Sequence, residues 1–320
     1  MEGLLGITYR CNARCQMCNT WQFPTKKEEE VKVRDLEKLP RMRFTNITGG
    51  EPFLREDIED IIKVIKKKSK RIVISTNGFF TERIINLAEK NKDIGIRISI
   101  EGLPKANDEL RGMKNGFDRG LRTLIELKHM GMKDIGFGIT VSDRNARDLL
   151  ALYGLACAMK VEFATAIVHN SYYFHKMDNE IINKDIVAGE FRKLVKEFLK
   201  TKTVKNWYRA YFNHGVINYI YGGKRFLPCE MGTELFYMDP FGEIRPCNGI
   251  EETMGNIKEK TFEEIWNGEE AKRIRGKVAR CQKNCWMIGS VSPAMKKYFL
   301  KPTTWIIKNK WLKRYSRKTL

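Results

Sequence analysis

The sequence predicts an α/β fold in which a parallel sheet, covered by outer helices, curves toward a barrel, followed by a smaller cysteine-bearing segment and a basic tail. Three observations lead there. Six short β-rich runs alternate with helical patterns over the first two hundred residues. Each run except the last ends in a polar or glycine-rich turn. Seven of the eight cysteines fall into two groups, one near the start and one in the last third of the chain.

In order, the candidate strands are Leu4–Tyr9, Arg43–Thr48, Arg71–Ser75, Ile94–Ile100, Ile135–Val141 and Val161–Val168. Helical periodicity occupies Arg34–Leu39, Ile58–Lys68, Arg83–Lys90, Gly120–Met130 and Ala146–Met159. The turns after the strands read CNARC, TGGEP, STNGF, SIEG and TVSDRN. Active sites of parallel α/β barrels gather at the carboxyl ends of their strands, so these turns are the candidate site. A helical stretch over Asp185–Gly222 then leads to a segment from Phe226 to Ile288. There Leu235–Met238 and Glu243–Arg245 flank Asp239-Pro-Phe-Gly242, a hairpin signal. The expected units are a barrel at 1–202, a helical bridge at 203–225, a cysteine domain at 226–290 and a tail at 291–320.

At 320 residues and 42% hydrophobic content the chain has material for a large core. No apolar run is long enough to span a bilayer, since the longest, Leu149–Met159, is short and contains Gly154. With eight cysteines and no signal sequence before them, the expected location is the reducing cytoplasm, where thiolates are available to metal. Net charge is +20, but fifteen Lys and Arg and no acidic residue follow Glu270, which leaves +5 (20 − 15) on the first 270 residues. Charge confined in this way points to a local contact, with a peripheral membrane surface as the candidate, and argues against nucleic acid as a partner.

Cys11, Cys15 and Cys18 stand as Cys-x-x-x-Cys-x-x-Cys just after the first strand. Three thiolates so spaced suit an iron–sulfur cluster and leave one of four irons open for chemistry. Structural zinc is the competing use of such residues, although no fourth Cys or His lies nearby in sequence. With Thr48-Gly49-Gly50-Glu51-Pro52 thirty residues on, the pattern resembles the radical S-adenosylmethionine (radical SAM) enzymes. The resemblance covers about residues 1–200 and implies a partial (β/α)6 TIM barrel. It makes Cys11, Cys15 and Cys18 the ligands of a SAM-binding [4Fe–4S] cluster. It also implies SAM contacts from Met17 to the adenine and from the Gly49, Gly50, Glu51 and Pro52 turn to the methionyl amino group. Ser75 and Asn77 match the family's third-strand motif, Ser99 its fourth, and Asn145 an Asn that meets the ribose. Glu101 stands where Asp is commoner in that motif, and Arg111-Gly112 matches a recurrent pair without an assigned role.

In the last third, Cys229 and Cys247 bracket the hairpin, and Cys281-x-x-x-Cys285 follows the helical run Phe262–Gly268. This resembles the SPASM and twitch modules of radical SAM enzymes. Four cysteines, against seven in a full SPASM domain, imply one fully ligated auxiliary [4Fe–4S] cluster that relays electrons. Zinc again remains the alternative for four cysteines. Cys157 reads as a small core residue, and no histidine has a metal-ligand partner spacing.

The tail is expected to form a helix capped by Thr303 or Thr304 after Pro302. Trp305, Ile307, Trp311, Leu312 and Tyr315 would fall on one side, with Lys310, Lys313 and Arg314 opposite, while Ile306 and Lys308 break the segregation. Such a mixture suits a membrane surface, and a helix packed on the protein's own body is the alternative. The functional expectation is a radical SAM enzyme that abstracts hydrogen from an unactivated carbon of a small molecule, glycan or lipid. The outcome would be oxidative, with a flavodoxin- or ferredoxin-type reductant. A peptide maturase is the rival enzyme, disfavoured by a chain that starts close to its first strand, and a zinc-stabilised binding protein is the rival of another class.

Overall fold

A computed structural model describes residues 1–312. One nine-stranded sheet, in the order β6-β5-β4-β3-β2-β1-β7-β8-β9, organises the chain. Its first six strands are β1 (Glu2–Gly6), β2 (Phe44–Thr48), β3 (Ile72–Thr76), β4 (Gly95–Ser99), β5 (Ile135–Val141) and β6 (Glu162–Ile167), each parallel to the next. Between them run α1 (Val33–Leu36), α2 (Ile58–Lys68), α3 (Thr81–Lys90), α4 (Pro104–Arg111), α5 (Gly116–His129) and α6 (Leu149–Met159). The barrel is partial because β1 pairs with β7 (Leu235–Met238) and not with β6. The sheet therefore continues into β8 (Glu243–Arg245) and β9 (Gly255–Asn256) without a break.

Alternation along the strands sorts the side chains between two faces. Ile47, Ile74, Ile96, Ile98, Phe137 and Ile139 point outward and are buried under the helices. The inner face carries Asn46, Thr48, Ser75, Arg97, Ser99, Thr140 and Glu162, and the other inner positions of the last two strands are the small Gly136, Gly138, Ala164 and Ala166. A complete barrel fills its interior with bulky branched residues. Here small and polar ones leave a cavity of about 800 Å³.

After β6, α7 (Lys184–Lys200) and α8 (Val204–Ile220) form an antiparallel pair. The cysteine-bearing segment adds α9 (Phe262–Asn267), α10 (Glu269–Ala279) and α11 (Ile288–Lys297). Trp286 fixes it to α8: its ring is fully buried, its Nε1 donates to the Phe212 carbonyl at 2.7 Å, and only a glycine at 215 leaves room for it.

Several expectations need correction. β1 ends at Gly6 because Thr8 and Tyr9 leave the ladder for side-chain partners: Thr8 donates to Glu30, and the Tyr9 N–H donates to Thr25 Oγ1 at 3.1 Å. Helix α4 was not anticipated, although Pro104 in its first turn and left-handed Gly112 at its end are the usual punctuation. Cys157 is exposed, since α6 buries Leu149, Leu152 and Ala156 instead.

The tail helix, α12 (Leu300–Lys310), begins before Pro302, which sits in its first turn. Thr303 and Thr304 are internal and donate back to the Phe299 and Leu300 carbonyls at 2.7 and 2.8 Å, so neither is a cap. Ile306, which broke the sequence segregation, is the buried contact, and Lys310 donates to the Leu199 and Thr201 carbonyls. The helix therefore docks on α7 and α8. Lys313, Arg314 and Tyr315 lie outside the described residues. Among the described residues no helix is long and apolar enough to cross a membrane.

Candidate active site

The chain from Ile7 to Asn19 has no regular structure and carries Cys11, Cys15 and Cys18. Three glycines allow it to dock. A Cβ at Gly49 (φ +149°) would lie 2.4 Å from the Thr8 carbonyl oxygen, and one at Gly50 would lie 2.2 Å from that of Arg10. Gly50 N–H donates to the Thr8 carbonyl at 2.7 Å and Glu51 N–H to that of Arg10 at 2.9 Å. The close approach these glycines permit is thus to the cysteine loop itself. On the other flank, Gly112 is left-handed (φ +56°), and a Cβ there would meet Arg14 backbone at 2.8 Å. The Arg14 and Gln16 N–H groups donate to the Arg111 and Leu110 carbonyls at 2.9 and 2.8 Å, using orphan acceptors at the end of α4.

A buried ionic knot supports the base of the loop. Glu30 accepts two bonds from Arg10, both at 2.9 Å, one from Thr25 at 2.7 Å, and lies 3.4 Å from Arg55. Arg55 donates onward to the Ile7 and Val31 carbonyls at 2.8 and 3.0 Å. A buried carboxylate so fully paired is expensive to break.

Many of the polar residues read from the strand-end motifs tie neighbouring strands together. Fully buried Glu51 accepts from Phe53 N, Thr76 Oγ1 and Asn77 N at 3.1, 2.7 and 2.7 Å. Pro52 is buried in the short turn that follows. Asn77 Nδ2 donates to Asn12 Oδ1 at 2.7 Å, joining β3 to the cysteine loop. Buried Asn145 accepts from Ser142 N at 2.7 Å and donates to the Glu101 and Thr140 carbonyls at 2.7 and 2.9 Å. Ser75 bonds to Asn46 at 3.0 Å on the inner wall, and Ser99 is half-buried on the same face. Met17 is half-buried, its carbonyl accepting from Asn179 at 3.1 Å.

The sequence left Arg111 without a role, and the fold gives it one. Its guanidinium is buried 3.4 Å from Glu101, and its field reaches Cys15 and Cys11. Glu101 also accepts from Thr140 N at 2.5 Å. Burial raises the Glu101 carboxyl, opposed by Arg111 and by the Thr140 bond. Arg111 thus places permanent positive charge beside thiols that must carry negative charge when bound to metal.

The donor chemistry fits clusters. Burial pushes the Cys11 thiol up to about 12 and raises Cys15 and Cys18, with Cys11–Cys15 and Cys15–Cys18 repulsion adding to it. In the second group, burial pushes Cys247 up to about 12, and Cys229, Cys285 and Cys281 add their charges. Cys11, Cys15, Cys18, Cys247 and Cys285 are therefore thiols that stay protonated until a cation arrives. Among the described residues no trio of His, Cys, Asp or Glu closes around a single ion. A donor set made of thiols alone is the ligand chemistry of an iron–sulfur cluster.

Cys229, Cys247, Cys281 and Cys285 all border the cavity, which is also walled by Thr48 and Ser75. Tyr173, just past β6, links the two ends of the site. Its hydroxyl donates to the Gly49 carbonyl at 2.5 Å, its N–H donates to the carbonyl of Asn248 at 3.1 Å, and its ring packs with Tyr9 and Tyr237. Nothing in the motifs marked it. His169 lies on the same wall, with Nδ1 3.1 Å from the Ile167 carbonyl, a bond that leaves Nε2 as acceptor. Burial lowers its pKa, so the ring is neutral. His175 takes a left-handed conformation, stacked on Phe23 and edge-on to Tyr9, and its carbonyl accepts from Asn19 at 3.1 Å.

The radical SAM superfamily profile matches residues 5–156, and that of the SPASM iron–sulfur cluster-binding domain matches residues 229–286. These two matches place the chain in the radical SAM superfamily, with a SPASM auxiliary-cluster domain. Its cofactors are SAM, a SAM-binding [4Fe–4S] cluster and an auxiliary cluster. Among relatives, Fe-coproporphyrin III synthase of Methanosarcina barkeri is 29% identical over 201 residues, covering 59% of this chain and 48% of that protein. The subtilosin biosynthesis protein AlbA of Bacillus subtilis is 25% identical over 279 residues, covering 82% and 58%. The chain thus spans about half the length of these curated relatives. The crystal structure of SuiB of Streptococcus suis bound to SAM shares the fold, with a TM-score of 0.65 at 17% identity over 87% of this chain and 67% of that one.

Gly50→Ala should displace the cysteine loop and empty the first site alone. Iron in the reconstituted protein is expected to fall from about eight to about four per chain. Unchanged iron content with SAM cleavage intact would show that the loop does not depend on this contact.

Proposed function

We propose that the chain oxidises a substrate held in the barrel cavity by removing a hydrogen atom and then an electron and a proton. One observation carries the reading: the four auxiliary cysteines border the same cavity as the inner barrel wall. When bound, the first cluster supplies the electron that cleaves SAM to a 5′-deoxyadenosyl radical, and the auxiliary cluster accepts an electron from the substrate radical. Cys11, Cys15 and Cys18 would hold the first, and Cys229, Cys247, Cys281 and Cys285 the second. Met17, Ser75 and Ser99 keep partly exposed atoms and are the residues we assign to SAM. Glu51, Asn77 and Asn145 spend their polar atoms on the protein, and we assign them to positioning. His169 Nε2 takes the proton. Abstraction of one hydrogen atom, transfer of one electron and release of one proton together make a two-electron oxidation.

A peptide substrate is the second reading, favoured by the similarity to AlbA and to the sporulation killing factor maturation protein SkfB of Bacillus subtilis. We place the chain in the cytoplasm. Phe299, Leu300, Ile307, Trp311 and Leu312 are exposed beside Lys301 and Lys308, which supports a peripheral membrane contact. Leu300→Glu with Ile307→Glu should then abolish pelleting with anionic liposomes, and equal pelleting of the variant would remove that contact from the reading.

Cys281→Ala should leave 5′-deoxyadenosine formation largely intact while product falls by at least about tenfold. Unaffected product would exclude the relay. Because burial lowers the His169 pKa below 6.5, the base is free at neutral pH, and product formation should decline only as pH drops through that lowered value. An acid limb that persists unchanged in His169→Gln would assign the proton to another group.

A further inference from the structure

The cavity wall is not electrically neutral. Eight of its charged residues are basic and one, Glu2, is acidic. Some of that charge is answered locally. Lys296 reaches Glu2 at 2.5 Å and Arg43 reaches Glu234 at 2.9 Å. Arg225 and Lys283 stand beside Cys285 and bond to Ser290 Oγ and to the Gly249 carbonyl at 3.1 and 2.8 Å, where auxiliary thiolates balance them.

Two further clusters are left with a surplus. Asp134 is shared by Arg71, at 2.9 Å, and Arg97. Glu162 is shared by Lys205, at 2.8 Å, and Arg209. Four cations against two carboxylates leave +2. Burial acts to raise the Asp134 carboxyl, but the two arginines outweigh it and hold it at about 2, so at neutral pH the cluster is two guanidinium cations against one carboxylate. The clusters also lie in one row: Arg97 is in register with Gly136, and Gly136 with Glu162. Gly136 puts no side chain between them, and Arg97 and Glu162 stand two strand spacings, about 10 Å, apart. The remaining wall is mainly apolar, from Ala164 and Ala166 on one side to Met231, Leu235 and Val278 on the other.

We propose that the cavity binds an amphipathic anion, with its carboxylate or phosphate between the Arg71–Arg97 and Lys205–Arg209 clusters and its apolar body reaching toward the strand ends. The inference deepens the reading above, since it takes the cavity as the substrate site. A surplus of fixed cations in a low-dielectric cleft attracts anions strongly, whereas an uncharged analogue gains only the apolar contact.

The test uses the reconstituted holoenzyme with SAM and two fluorescent probes of similar apolar body, 8-anilinonaphthalene-1-sulfonate and uncharged N-phenyl-1-naphthylamine. The sulfonate should bind at least about tenfold tighter, as expected for a charge-assisted contact. Arg97→Gln and Arg209→Gln should each remove most of that preference, and Arg97→Lys and Arg209→Lys should restore part of it, which separates charge from misfolding. Dodecanoate and dodecyl phosphate should displace the sulfonate probe while dodecanol does not, and the stronger competitor identifies the headgroup. Equal binding of the two probes, or a preference unchanged in both Gln variants, would overturn the proposal. SAM cleavage measured on the same samples separates the two claims. Anion preference without cleavage refutes the radical reading alone, and cleavage without anion preference refutes the amphipathic anion alone.

Discussion

Parallel pairing of β1 with β7 is the contact on which the rest of the molecule depends. It takes the edge that would have closed the barrel against β6 and gives it to the cysteine-bearing segment. The barrel stays open, its interior stays hollow, and the second group of cysteines is fixed to the same sheet as the first. Four residue pairs, from Glu2–Leu235 to Leu5–Met238, set the register. A slip by one residue would turn Tyr237 away from Tyr9 and Tyr173 and bring Met238 inward.

The glycines and buried polar groups around the cysteine loop serve a related purpose. A loop with no regular structure of its own must be held by its surroundings if three thiols are to meet one cluster. Gly49, Gly50 and Gly112 remove side chains where backbone meets backbone, and Glu30, Glu51 and Asn77 pay the desolvation cost of burial with bonds that fix the loop's base. Arg111 adds the charge. Its carbonyl holds Arg14 while the field of its guanidinium reaches Cys15, so one residue shapes the loop and compensates its thiolates.

Much of this was legible in the sequence. The six parallel strands, five of the intervening helices and the hairpin follow from apolar period and turn residues, and the cysteine spacings marked both groups before any fold was known. The limits have physical causes. The end of β1 was overread because Thr8 and Tyr9 have high strand propensity but find better partners in Glu30 and Thr25. Tyr173 was invisible as a site residue, and Arg111 was marked but left without a role, because each acts through neighbours remote in sequence. The tail's wheel failed because Ile306, the residue that spoiled its pattern, is the one that packs. The cavity could have been suspected from Gly136, Gly138, Ala164 and Ala166, which are too small to fill a barrel.

The central claim is that two distinct iron–sulfur centres share this sheet, and that only the amino-terminal one is open to SAM. Electron paramagnetic resonance of the dithionite-reduced, anaerobically reconstituted protein tests it most directly. Two signals are expected, of which SAM shifts one, and that one should survive in a Cys229→Ala, Cys247→Ala variant. A single signal indifferent to SAM, or one lost in that variant, would contradict the account.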